Sequence, residues 1–197
     1  MGQSSSDYGL DLPPLNLSET HFSTSYLLQR IFQAKDESAP VHRFMVRSTF
    51  LRVVEHAIRE YQMARAEVTE AASKPKVGNV GVVSPYIRAS SHLETCITSM
   101  HRAVRFCTAP RKLGIRLSRA GPDSIRCDTA RTALTNFRNA IQHLDTSIYK
   151  DTVGAGPISP VTCQGMLMVA NQSIPVQSVV SWLEELSKIA AQVLVAP

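Results

Sequence analysis

VHRFMVRSTFLRVVEHAIREYQMARAEVTEAA, residues 41 to 72, carries apolar side chains at Val41, Phe44, Met45, Leu51, Val54, Ile58, Tyr61 and Val68. Intervals close to multiples of 3.6 put them on one side of an α-helix. A helix this long cannot bury its stripe alone and must lean along others, so the stretch predicts a helical bundle.

Working outward, Phe22, Tyr26, Leu27 and Ile31 repeat at helical spacing and predict a helix over 18–34. Ser84 followed by Pro85 reads as a cap and first-turn pair opening a helix over 85–108. APRKLGIRLSRAGPD, residues 109 to 123, reads as a basic loop, with Asp123 capping a helix that runs to Tyr149. GMLMV and IPV flank the polar ANQS and predict a small β-hairpin. Val180, Leu183, Leu186, Ile189 and Val193 then share a face of a helix over 177–195. The fold class is mainly α, a bundle of about four to five helices with a small β-hairpin near the C-terminus. Residues 1–17, with Pro13-Pro14 among Ser, Gly and Asp, read as a flexible N-terminal arm, and 18–197 as a single domain. MGQSSS fits the spacing of a myristoylation signal at Gly2 and Ser6, but no polybasic second anchor follows, so a short polar tail is the favoured reading.

With 197 residues, 44% apolar and 19% charged, the chain is long enough and apolar enough for one well-buried domain. A formal charge of +5 and a pI of about 9.2 favour an anionic partner such as RNA. Cys96, Cys107, Cys127 and Cys163 are widely spaced with no CxxC pair, which suggests free thiols in a reducing cytoplasm rather than a zinc site or disulfide scaffold. No apolar run approaches the roughly 20 residues that span a bilayer. The chain therefore reads as cytoplasmic with no membrane association. No metal or cofactor is expected, since His42, His56, His92 and His101 lack a ligand partner at suitable spacing and no nucleotide fingerprint is present.

The fourth helix carries FRNAIQHLD, residues 137 to 145. Leu134, Phe137, Ile141, Leu144 and Ile148 define its buried sector. Asn139 points away from that sector, His143 lies within about 40° of Asn139, and Arg138 sits on a flank about 140° from His143. On a regular helix Arg138 and His143 of one chain do not converge on one small group. Two helices related by a two-fold axis would set His143 of one chain near Arg138 of the other.

Arg138, Asn139 and His143, R-N-x-x-x-H on a late helix of a bundle, resemble the signature of the HEPN superfamily, the higher eukaryotes and prokaryotes nucleotide-binding domain. The resemblance implies a helical domain, homodimers, and for many members metal-independent RNA cleavage in toxin–antitoxin, phage-defence or RNA-processing settings. It also implies an antitoxin or other protein partner. The motif covers six residues, and the hairpin and final helix after Thr152 depart from the minimal bundle.

The trio suits that chemistry. Histidine is the side-chain type suited to proton transfer near neutral pH, which makes His143 the candidate base or acid. Arg138 offers a fixed fork of donors to phosphate, and Asn139 orients the histidine or bonds the phosphate. Arg102, Arg105, Arg111, Lys112, Arg116, Arg119 and Arg126 form a basic run that would neutralise RNA phosphates. The competing reading is a non-catalytic helical module that binds a protein or a nucleotide through the same polar face.

Overall fold

The computed structural model describes residues 10–17, 21–32, 41–73, 80–149 and 157–196, with the side chains of 30–32, 80–83 and 145–149 outside the description. Gly2 and Ser6 lie outside the described residues. Six helices and three strands follow in the order α1 Phe22–Phe32, α2 Val41–Ser73, α3 Val80–Cys107, α4 Pro110–Leu113, α5 Asp128–Tyr149, β1 Val161–Cys163, β2 Met166–Val169, β3 Gln172–Pro175 and α6 Val176–Val195. The protein is mainly α, as the periodicity predicts. No helix among the described residues is long and apolar enough to cross a membrane.

α2 and α3 form the central antiparallel pair. Arg88 clamps Glu67 with two hydrogen bonds of 2.9 and 2.7 Å, and His92 Nδ1 lies 2.7 Å from Glu60 Oε2. Partners in α2 fall in number as those in α3 rise, which is the mark of an antiparallel pair. The buried surface of α2 is broader than one stripe, because Phe50, Val53, Ala57 and Ala64 are buried alongside Leu51, Val54, Ile58 and Tyr61. The helix packs against α1, α3, α4 and α6 at once. Its N-terminal end escapes that cover, leaving Val41 74% and Met45 60% exposed despite their place on the predicted stripe.

A buried cation joins three helices. Arg47 is 1% exposed, its Nε donates to Leu113 O at 2.8 Å, and Nη1 donates to Ala196 O at 3.0 Å. These carbonyls sit at the C-terminal ends of α4 and α6, where helix dipoles place partial negative charge that offsets part of the desolvation of the guanidinium. Gly114 ends α4 in the left-handed region at φ 70, and its lack of a Cβ leaves room for Arg47.

Several element bounds differ from the expectations. The basic loop contains the single turn α4, because Pro110 starts a turn and Gly114 ends it. Pro85 lies inside α3 rather than at its start, where a proline removes one backbone hydrogen bond near the helix end. α5 begins at Asp128 instead of at Asp123. Cys127 Sγ accepts from Ala130 N–H at 3.3 Å, and the carbonyl of Asp123 is held by Trp182 Nε1 at 3.1 Å. The expected hairpin is β2–β3, paired Met166 to Pro175 and Val169 to Gln172, and β1 adds a third antiparallel strand. Gln164 and Gly165, with φ of 50 and 74, make the tight turn between β1 and β2.

The described part of the N-terminal arm has no helix or strand, yet Leu10 and Leu12 are buried. Asp11 N–H donates to Thr162 Oγ1 at 2.7 Å, and Tyr61 donates to Pro13 O at 3.0 Å. Residues 10–17 therefore lie as a strap over β1 and α2. All four cysteines are free, and burial pushes the Cys107 thiol up to about 12.

Candidate functional site

Leu134 and Phe137 are fully buried on α5 and fix its rotation, with Ile141 and Leu144 half-buried further along. The rotation brings Arg138 to the flank nearest α3, half-buried. Its Nη1 donates to Asn139 Oδ1 at 3.2 Å, while its Nε is buried without a hydrogen-bond partner. An arginine N–H left so is costly, and Arg65 Nε on α2 shares that state.

Across the helix pair stands His101 of α3, also half-buried. Burial lowers its pKa first, and the charges of Arg138 and then Arg105 lower it further. Both charges acting on it are cationic. The ring is thus held neutral at pH values where a free histidine begins to charge. Arg138, Arg105 and His101 make one electropositive patch where α3 meets α5.

His143 is exposed. No hydrogen bond joins it to Arg138 among the described residues. The single chain joins Arg138 to Asn139 by the Nη1–Oδ1 hydrogen bond. Family models, curated proteins and solved structures give no match to the chain.

The remaining basic residues divide into three groups. Arg102 and Arg105 are exposed on α3, where with half-buried Phe106 they line a cavity of about 320 Å³. Arg111 and Lys112 on α4, with Arg116 and Arg119 in the following loop, are exposed and line neither basic cavity. Arg126 is structural: its Nε donates to Glu185 Oε1 at 2.8 Å and its Nη1 to Ser118 O at 2.9 Å. Glu185 also accepts from Ser124 Oγ and Ile125 N–H. Burial alone would raise the carboxyl pKa, but the bonds from Arg126, Ser124 and Ile125 outweigh it and hold the group below its ordinary value.

A second basic cavity, of about 410 Å³, opens between α1, α2 and α3 and is lined by Arg52, His56, Arg59, Ser99 and Arg102 among others. A cavity of about 440 Å³ where α5, β3 and α6 meet has Asp123 and no cation in its lining. The α2 contribution to the basic cavity was legible as a polar recurrence at 52, 56 and 59 on the long helix. Its meeting with Ser99 and Arg102 was not, because α2–α3 register is a tertiary outcome. The same holds for His101, whose place beside Arg138 depends on how α5 docks.

Proposed function

We propose that the protein is a HEPN-like, metal-independent endoribonuclease that works as a homodimer, with Arg138, Asn139 and His143 as its site. The observation that carries this reading is Arg138: a half-buried guanidinium, steadied by Asn139, whose Nε finds no partner within the chain. A phosphate would be met by the terminal nitrogens of this half-buried guanidinium, and Arg105 adds charge of the same sign nearby.

In the dimer, His143 of one chain faces Arg138 of the other. His143 takes the proton from a ribose 2′-hydroxyl, the 2′-oxygen attacks the adjacent phosphorus, and the bond to the 5′-oxygen breaks. The leaving oxygen takes a proton from the acid form of the partner histidine or from water. Arg138 stabilises the charge that builds on the phosphoryl oxygens, and a 2′,3′-cyclic phosphate remains on the upstream product. An antitoxin or other protein partner covering this face is consistent with a toxin role. The separation of Arg138 from His143 within one chain favours the non-catalytic binding module if the chain proves monomeric.

The test is incubation of the purified protein with total RNA in chelator, wild type against His143→Ala, alongside light scattering at micromolar concentration. Cleavage by the wild-type dimer that His143→Ala loses supports the assignment. A monomer, or cleavage undiminished in the variant, overturns it.

A further inference from the structure

The cavity between α1, α2 and α3 has a feature the proposed site does not use. Among the described residues, Arg52 and Arg102 have no hydrogen-bond or ion-pair partner, and both line this cavity. Ser99, 4% exposed, adds a hydroxyl from α3 to the same lining. Arg52, His56 and Arg59 recur at intervals of three and four along α2, so their side chains rise from one face.

The charges favour an anion. Arg59 Nη2 lies 2.7 Å from His56 Nδ1. His56 Nδ1 also lies 3.5 Å and Arg59 Nε 3.8 Å from Glu60 Oε1, so these two groups are already engaged and the unspent charge of the lining is on Arg52 and Arg102. Among the described residues, Glu55 is the one carboxylate in the lining, against three guanidiniums. Its Oε2 is engaged by the backbone N–H and the hydroxyl of Ser23 at the start of α1.

The cavity shares Arg102 with a neighbour that leads towards Arg138. Arg102 lines both this cavity and the smaller one shared with Arg105 and Phe106, and Arg105 acts with Arg138 on His101. Arg52, Arg102, Arg105 and Arg138 thus mark a path across three helices. Among the described residues, Phe106 is the one Phe, Tyr or Trp lining either cavity, and its ring already meets Phe50 edge-on at 6.0 Å. Four guanidiniums against one engaged ring suit the backbone of a strand better than its bases.

We infer that the α1–α2–α3 cavity is a phosphate-binding station for the backbone of single-stranded RNA, which holds the strand by Arg52 and Arg102 while it runs to Arg138. The inference rests on the RNA reading above and adds where the strand lies. Since it concerns binding, it is tested without turnover.

The probe is a short, fluorescent, single-stranded 2′-O-methyl oligoribonucleotide, which lacks the attacking hydroxyl and cannot be cleaved by this route. Anisotropy is measured over a salt series for wild type, the double variant Arg52→Gln with Arg102→Gln, and a control Arg43→Gln on an exposed part of α2. The double variant is expected to bind at least about tenfold more weakly at low salt. Its log–log salt slope should become shallower by about 0.7 for each phosphate that is no longer neutralised. The control should stay close to wild type. In parallel, inorganic phosphate should shift the NMR amide signals of Ser23 and Ser99. Wild-type affinity and slope in the double variant overturn the inference. Phosphate shifts at Ser23 and Ser99 without any loss of oligonucleotide affinity also overturn it, leaving a site for a small phosphate compound. Tight, cavity-dependent binding with no cleavage of natural RNA would uphold this station and overturn the nuclease assignment alone.

Discussion

Replacing Arg138 by alanine separates a residue that holds the fold from one that the fold tolerates for another purpose. The buried, unpartnered Nε costs about 1–3 kcal/mol of stability, and the substitution removes that cost. It also removes two half-buried methylenes, Cγ and Cδ; at about 0.8 kcal/mol per fully buried methylene, about half of the full value is lost, or roughly 1 kcal/mol. The two effects oppose, so the variant should lie between unchanged and about 2 kcal/mol more stable. For a chain of this size that is a rise in melting temperature of no more than about 8 °C. Activity behaves differently, because losing one preorganised donor to the phosphoryl oxygens lowers turnover by about 10² to 10³.

His101 supplies an internal reporter of the same change. Its folded pKa is below the ordinary 6.5, so the unfolded chain binds more protons between the two values. Stability therefore rises with pH through that window and is level above it. Removing the Arg138 charge raises the His101 pKa towards 6.5, although burial still holds it down, and narrows the window. Urea titrations, RNA cleavage in chelator and NMR titration of His101 read the three consequences on one preparation. A melting temperature lowered by more than about 8 °C would show that Arg138 is structural, and cleavage undiminished in Arg138→Ala would refute its role in the chemistry.

Mixing inactive His143→Ala and Arg138→Ala proteins should restore part of the cleavage, because one of the two clefts in a heterodimer regains an intact pair; heterodimers that form and stay inactive would sink the shared site. Gly114→Ala should destabilise by about 3 kcal/mol, from left-handed strain of about 1 kcal/mol plus loss of a charge-assisted bond of about 2 kcal/mol, since the new Cβ would overlap Arg47 Nη2. Urea melts should show most of that cost vanishing in an Arg47→Ala background, and equal costs in both backgrounds would contradict the packing argument. Glu185→Gln should cost about 1–2 kcal/mol at neutral pH through its bonds to Arg126, Ser124 and Ile125. The folded pKa of Glu185 is lowered, so its contribution is complete above the ordinary value of 4.5 and is lost as pH falls through the folded value. The gap between the two proteins should therefore close in acid, and a gap that is constant with pH would disprove the linkage.

The helical class, the long central helix and the buried face of the last helix were legible in the chain because each depends on a local period. Leu183, Leu186, Ile189 and Val193 are buried as their spacing requires, and so are Leu134 and Phe137 on α5. The flank position of Arg138 relative to His143 is likewise a property of one helix. What the spacing could not supply were features set by how helices meet. Arg47 looks like one more cation on a long helix until the C-terminal ends of α4 and α6 arrive around it. Arg126 belongs to a basic run in sequence and to Glu185 in space. Leu10 and Leu12 sit in an irregular arm and are buried because β1 and α2 offer them a surface. His101 becomes a neighbour of Arg138, and Arg52 of Arg102, only when α3 packs against α5 on one side and α2 on the other. Helical periodicity fixes which side of a helix a residue occupies. The partner on that side is chosen by side-chain packing between segments far apart in the chain, and no local pattern encodes it.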